Sequence, residues 1–574
     1  MNKNRFGRSI LSLVMCVAML ISVILSGCGT AQAPVEAPAP AQIAEEVVES
    51  TEATVTTNEL GIDELEALAT EMPLPERPVV FLKGSWYDMG RQYVEFAPEH
   101  VKRTIVQGIA NCVNSYGSVE AFVAESAGAY ETFKNYAPQM LDMFQGIADA
   151  SGFTLDEVFL TFNSIVRSNI SESEEPGLGG DMTCNAAMAW GEATGGDALV
   201  VNSVDRDKDE YYNPITFLYP EDEKYPEDIH AIVSHKGLLT GAVMNDAGLC
   251  LMGTGGQEAL PGDGDNSVNS IGPFASLFVL AARYDKSDEA KDAFIEHYLP
   301  GAGNSYYFMD ADGLGYIVES VTGQYAVREQ NKSVEGDRDY LIGNNQYFAP
   351  EMDIHNTHDG FWDDCPIRFE NMKYFLERDY GNVTVDTFRE AEACTRYVDS
   401  ETGEMNEEIF WVNDGTSYNP LENVAPREKT TGRMIMNATL KTFYVSNGNE
   451  DTLLSLIPNA TGTYARLDMT GNIDMDLEGV RLYAYMYIYQ AARDISNSDG
   501  DTAAREYYLN LAKEQALAAS NYLSFVNYSD DEMVNLELYS KAASCYVLAQ
   551  SYAKCAWDTP NTLISDYEDS FFAF

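Results

Sequence analysis

The sequence predicts an α+β protein, on three observations. Between Val101 and Ala150 apolar residues recur at helical spacing, through Val101 to Tyr116 and Val119 to Ala150. From Cys184 to about Gly343 the period shifts towards two. The runs AAMAW, ALVVNSV, AIVSH, LLTGAVM, LCLMG, YYFMD and YIVES are separated by Gly, Asp and Asn turns, a sheet pattern broken by one helical stretch at Pro273 to Tyr298. After Gly471 the helical period returns, with Val480, Tyr483, Tyr487 and Ala491 on one face and two further stretches running to about Ala556. The expected organisation is a signal peptide over 1–27, a linker over 28–77, a helical segment over 78–183, a sheet-rich core over 184–470 and a helical region over 471–574.

The amino terminus sets the compartment. Lys3, Arg5 and Arg8 precede the apolar stretch Ile10 to Leu25, the pattern of an export signal rather than of a folded element. Leu25-Ser26-Gly27-Cys28 resembles a bacterial lipobox, which implies lipidation of Cys28 and an extracytoplasmic, membrane-anchored protein. The following segment, headed AQAPVEAPAPAQ, has the composition of a tether. Ordered patterning begins at Pro78.

Composition excludes some partners. With 36 basic and 90 acidic residues the formal net charge is -54, which repels phosphate backbones and anionic headgroups. Nucleic acid is therefore not an expected partner, and the membrane is reached only through the lipid on Cys28. The nine cysteines show no CxxC or zinc-finger spacing, so their count says nothing about a metal. DRDKDE (205–210) begins like a calcium loop but lacks the glycine at its sixth position. DADGLG (310–315) reads as a hairpin turn, because Asp and Gly supply positive-φ positions. Trp190 and Trp362 read as core or pocket wall.

Cys184 is a lone thiol at the start of a strand pattern, and none of the six histidines lies in a signature context beside it. A cysteine in that position is either a small buried hydrophobe or a nucleophile that needs no histidine. If the Thr183–Cys184 bond is cut, the residue carries a thiol of reference pKa about 8.5 and an α-amine of about 7.7–8.0. The amine then serves as base for its own side chain.

Five stretches carry a resemblance, in order: FLKGSWYDMGRQ (81–92), TCNAAMAWGEATGGDALVVNSVD (183–205), MNDAGLCLMGTGG (244–256), YYFMDADGLGYIVES (306–320) and IGNNQYF (342–348). The sequence resembles the N-terminal-nucleophile hydrolases related to choloylglycine hydrolase, penicillin V acylase, the autoproteolytic acyl-CoA:6-aminopenicillanic acid acyltransferase and the phospholipase B-like proteins. The resemblance implies a four-layer αββα core preceded by a propeptide that stays attached after self-cleavage between Thr183 and Cys184. It implies hydrolysis or transfer of an acyl group from a small acyl amide through a Cys184 thioester, without a cofactor. Asp205 matches the family aspartate near the α-amine, and Asn345 the family asparagine that donates to the oxyanion.

Departures from the pattern are specific. Asn202 stands where the bile-salt and penicillin V enzymes have an arginine, and takes a supporting role. Gly255 stands where a second oxyanion asparagine is expected. Arg433, in TTGRM, is the candidate for a late family arginine. These departures leave open a phospholipase B-like esterase or a non-catalytic, ligand-binding surface lipoprotein.

Overall fold

The computed structural model describes residues 79–163, 184–205, 214–235, 237–238, 242–255, 271, 273–298, 303–321, 323–330, 332–356, 365–392, 396–398, 402, 405–409, 430–447, 464–500, 502–526 and 531–557. The expected signal peptide, Cys28, the tether, Thr183, Trp362 and residues 206–210 of the DRDKDE run lie outside them. Among the described residues no helix is long and apolar enough to cross a membrane.

Two sheets form the centre. Sheet A has eight strands, β1 (Val79–Gly84), β4 (Ile215–Pro220), β5 (Ile232–Ser234), β6 (Ala242–Asn245), β7 (Cys250–Gly255), β8 (Asn304–Met309), β9 (Gly315–Val321) and β10 (Gln324–Glu329), in that spatial order. Sheet B has six, ordered β11 (Tyr340–Gly343), β2 (Cys184–Ala189), β3 (Leu199–Asp205), β14 (Thr430–Asn437), β15 (Thr442–Asn447) and β16 (Ala465–Asp468). Among the described strands only the β1–β4 pair is parallel. A separate ribbon pairs β12 (Arg396–Val398) with β13 (Met405–Ile409).

Period-two alternation decides what each sheet face touches. In sheet B, Ala186, Met188, Val200, Met434 and Met436 share one buried cluster with the side chains of sheet A. Their neighbours Ala187, Ala189, Leu199, Val201 and Ile435 form a second cluster with Phe369, Met372, Phe375, Leu376 and Phe388. The helices of this outer layer are Cys365–Arg378 and Val385–Glu392. On the far face of sheet A lie two more, Pro273–Arg283 and Ser287–His297, where Phe294 meets the rings of Tyr306 and Phe308 at 4.5 and 5.5 Å. Tyr307, between those two rings in sequence, points the opposite way, into the gap between the sheets. The result is an α+β protein with the layer order helix, sheet, sheet, helix.

Among the described residues six helices precede this core: α1 (Trp86–Phe96), α2 (Pro98–Tyr116), α3 (Val119–Glu125), α4 (Ala127–Tyr136), α5 (Pro138–Ser151) and α6 (Leu155–Phe162). α1 and α5 cross closely at two glycines. A Cβ on Gly90 would lie 2.1 Å from the Met143 carbonyl oxygen, and one on Gly146 would lie 2.0 Å from that of Tyr87. The helical segment expected over 78–183 also supplies β1, whose six residues pair with β4. In space it is continuous with the core. The single helix expected at 273–298 is two, α7 (Pro273–Arg283) and α8 (Ser287–His297), and the second helical layer of the expected αββα core is formed by α9 (Cys365–Arg378) and α10 (Val385–Glu392), stretches that the sequence reading did not assign as helices. The DADGLG turn joins β8 to β9, with Gly313 at φ 84° and its N–H donating to the Asp310 carbonyl at 3.1 Å.

The C-terminal region is three helices, α11 (Ile473–Ser496), α12 (Ala503–Ser524) and α13 (Glu532–Ala556). α13 closes an edge of each sheet. The Ser544 hydroxyl accepts the Val79 N–H at 3.1 Å and donates to the Val79 carbonyl at 3.0 Å, and the Ser540 hydroxyl accepts the Phe81 N–H at 2.9 Å. The Gln550 amide does the same for Arg466 on β16, at 2.9 and 3.1 Å. Exposed sheet edges are pairing hazards that proteins cover or blunt. Here polar helix side chains take the place of a further strand. Replacing Ser544 by Ala should leave both Val79 backbone groups buried without partners and lower the unfolding free energy by about 1–3 kcal/mol. Urea denaturation reads this, and an unchanged midpoint would show that the edge does not depend on the hydroxyl.

Candidate active site

Cys184 is the first residue of β2, and β11 runs antiparallel beside it with Gly343 opposite Ala186. The turn after β11 therefore brings Asn345 to Cys184. The Cys184 N–H donates to Asn345 Oδ1 at 2.8 Å, and Asn345 Nδ2 donates to the Gly255 carbonyl at 2.6 Å. One side chain thus links the start of β2 in sheet B to the end of β7 in sheet A. Both Cys184 and Asn345 are buried.

Arg368, in the first turn of α9, is the residue that the sequence reading missed. Its Nη1 donates to the Cys184 carbonyl at 2.5 Å, and its Nη2 donates to Asn345 Oδ1 at 3.1 Å and to the Cys365 sulfur at 3.1 Å. Asn345 Oδ1 therefore receives two donors, which fixes the amide orientation with Nδ2 towards Gly255. A signal for Arg368 does exist. Phe369, Met372, Phe375 and Leu376 recur at helical spacing, which marks a helix against the sheet with the arginine in its first turn.

Tyr307 and Thr254 line the gap beneath this turn. Thr254 Oγ1 donates to the Asn344 carbonyl at 2.9 Å, so its single proton is committed and the Tyr307 hydroxyl is the donor in their 3.1 Å contact. Burial raises the Tyr307 phenol well above its usual range, Thr254 opposes the shift, and a negative Cys184 adds to it. Tyr307 remains a neutral donor at physiological pH. Gly343 is required above it, because a Cβ there would lie 2.2 Å from the phenol oxygen.

The other expected site residues are placed as follows. Asn202 sits on β3 opposite Ala186, fully buried, with Nδ2 3.5 Å from the Asn185 carbonyl and no hydrogen-bond partner for Oδ1. Asp205 ends β3, its backbone paired with Thr430, one position beyond the residue opposite Cys184. Its side chain lies outside the described ones. Arg433 is not brought into the Cys184 cluster. It lies on β14 opposite Ser203, which lies opposite Asn185, and this row alternates with the face that carries Ala186 and Met434. Arg433 consequently faces the α10 side, where it acts on the phenol of Tyr464. The arginine that does contact Cys184 is Arg368. Among the described residues no group of three or more His, Cys, Asp or Glu could hold a metal ion.

No family model matches the chain. No curated protein matches it either. Solved structures do. The chain is similar to penicillin V acylase from Agrobacterium tumefaciens, at 15% identity over 50% of this chain and 86% of that one, with a TM-score of 0.30. It is also similar to a mutant conjugated bile acid hydrolase from Clostridium perfringens, at 12% identity over 51% of this chain and 93% of that one, with a TM-score of 0.24. A second variant of the same hydrolase matches at 12% identity, over 50% and 93%, with a TM-score of 0.22.

Arg368→Met should remove a donor from the Cys184 carbonyl and from Asn345 Oδ1 together. Hydrogen bonds from a charged group are worth about 1.5–3 kcal/mol each, so a loss of at least ~3 kcal/mol is expected in chemical denaturation. Arg368→Lys should recover less than half of it, because a single ammonium does not reproduce the spacing of the guanidinium fork. A Met variant as stable as the parent would mean that the guanidinium does not hold the site.

Proposed function

We propose that the protein is an autoproteolytic cysteine hydrolase or acyltransferase that acts on small acyl amides through a Cys184 thioester. The observation that carries this reading is the grip on the Cys184 backbone, with its N–H on Asn345 Oδ1 and its carbonyl on Arg368. A cysteine that merely filled space would not need both backbone groups held by buried polar side chains from two other elements.

The arrangement supports a mechanism in which each residue has one task. When the bond between Thr183 and Cys184 opens, the held nitrogen becomes an α-amine, and Asn345 Oδ1 orients it by accepting one of its protons. The guanidinium of Arg368 favours the neutral amine and the thiolate over the ammonium and the thiol, since a nearby positive charge lowers the pKa of both groups. The α-amine takes the thiol proton as the sulfur attacks the acyl carbonyl and passes it to the leaving nitrogen, and the resulting thioester is then cleaved by water or by an acyl acceptor. Asn345 matches the asparagine expected to donate to the oxyanion, a role worth about 10²–10³ in rate for a single donor, and its amide is held between Cys184 and Gly255. Asp205 and Asn202 keep supporting roles at the end of β3.

The segment before Cys184 would stay attached after cleavage, because β1 is hydrogen-bonded to β4 on one side and to α13 on the other. Export, lipidation of Cys28 and an extracytoplasmic location complete the proposal, from the residues at the amino terminus.

Intact-mass and amino-terminal measurements on the purified protein test the cleavage, with an expected new terminus at Cys184 and a single uncut chain for Cys184→Ala. Complete cutting in the alanine variant would assign the cut to another agent. Release of amine from a panel of N-acyl amino acids is expected from the mature protein. Release of fatty acid from phospholipids instead would make it an esterase, and a chain that neither splits nor hydrolyses would be a binding protein.

A further inference from the structure

Asn345 sits in a turn, yet the mechanism requires it at a defined position between two sheets. What holds the turn lies outside the cluster around Cys184. Arg328, on β10, is 1% exposed, and its guanidinium lies between two buried carboxylates. Nη1 donates to Glu319 Oε1 at 3.0 Å, Nη2 donates to Glu335 Oε1, and Nε donates to the Ser333 hydroxyl at 2.9 Å. Burial disfavours its charge, but Glu335 and Glu319 more than offset this and raise the guanidinium above its ordinary pKa.

Each carboxylate also holds backbone of the Asn345 segment. Glu335 Oε1 accepts the Ile342 N–H at 2.9 Å, before the turn. Glu319 accepts the Phe348 N–H at 2.9 and 3.1 Å and the Ala349 N–H at 2.9 Å, after it. Residues 343–347 therefore run between two fixed points that share one cation. The guanidinium also lies over the Phe348 ring at 5.2 Å, and Phe348 meets Phe369, the residue next to Arg368, at 4.5 Å.

A holding device is needed at this place. β11 is four residues long and forms the edge of sheet B, and Ile342 N–H is on its unpaired side. A register slip of one residue moves every side chain of a strand to the opposite face. Such a slip would carry Asn345 away from both the Cys184 N–H and the Gly255 carbonyl.

We propose that Arg328, with Glu319 and Glu335, forms a buried clamp that sets the register of β11 and so positions Asn345 against Cys184. Arg328 is a positioning residue: it reaches neither Cys184 nor the acyl group, and it acts through the Ile342, Phe348 and Ala349 amides. This role in catalysis rests on the hydrolase reading above, whereas the positioning itself does not.

The experiment uses the full chain and two readouts. The first is the rate at which iodoacetamide alkylates Cys184, Cys112 and Cys250, followed by peptide mass spectrometry. All three cysteines are buried, and Cys112 and Cys250 lie on α2 and β7, away from the clamp. In Arg328→Met the alkylation of Cys184 should rise on the order of ten-fold relative to the other two, the sign of local opening. Arg328→Lys should fall between parent and Met, and Glu335→Gln, which keeps an acceptor for Ile342, should shift Cys184 in the same direction by less. The second readout is amide hydrolysis, where kcat should fall about 10²-fold with KM little changed, as expected for misplacement of a reacting group. A proportional rise at all three cysteines would reduce Arg328 to a general stabiliser and overturn the proposal, as would an unchanged Cys184 rate or a loss carried by KM. If the parent hydrolyses no amide the hydrolase reading fails, and the alkylation ratio alone decides the clamp.

Discussion

The structure depends at its centre on one primary amide. Two packed sheets lie about 10 Å apart, too far for their backbones to bond directly. Asn345 spans the gap with both ends of its side chain, accepting from Cys184 on one sheet and donating to Gly255 on the other. Its oxygen is saturated by a second donor from Arg368, so the amide has one orientation. Moving β2, the β7 end or helix α9 therefore disturbs the other two. This is how a buried thiol at a strand terminus, normally the place where a strand frays, is held as firmly as a residue in its middle.

Much of the fold was legible because period-two patterning is local. Each of the seven apolar runs read from the sequence contains or overlaps a strand, and the Asp-Gly turn between β8 and β9 follows from the backbone needs of Gly313. Pairing partners were not legible. β2 meets β11 across 161 residues between Cys184 and Asn345, and nothing local encodes that distance. The two arginines show the same limit. Arg433 was a reasonable candidate by its place in the chain, but the register of β14 against β3 puts it on the row of Ser203 and Asn185, one step out of phase with Asn202 and Met434. Arg368 belongs to a helix whose turns are interleaved with polar residues, so its apolar stripe was easy to pass over and its cation looked like surface.

The sheet edges explain why the regions flanking the core are not accessory. β1 comes from the segment ahead of Cys184, and α13 comes from the chain end, yet they hydrogen-bond to each other through Ser540 and Ser544. The same helix holds β16 through Gln550. At the opposite edge of sheet B, β11 has no strand on its outer side among the described residues, and Glu335 takes its outward amide. Serine, glutamine and glutamate side chains thus close edges that would otherwise offer free backbone groups. The closure also explains how a cut between Thr183 and Cys184 would leave one particle: the strand ahead of the cut has partners on both sides that lie after it.

A polypeptide with a formal net charge of -54 brings a buried guanidinium to the carbonyl of its candidate nucleophile, to an amide oxygen and to a sulfur. In a water-poor interior such a charge acts with little screening. In the proposed chemistry this charge would favour the thiolate of Cys184 and the oxyanion on the acyl carbon, and would hold the α-amine neutral before it takes a proton. The same charge would oppose the ammonium formed once the amine has acted as base, so the proton is passed on readily to the leaving nitrogen. A carboxylate placed at Arg368 would reverse these effects, and a neutral donor there would exert little of them.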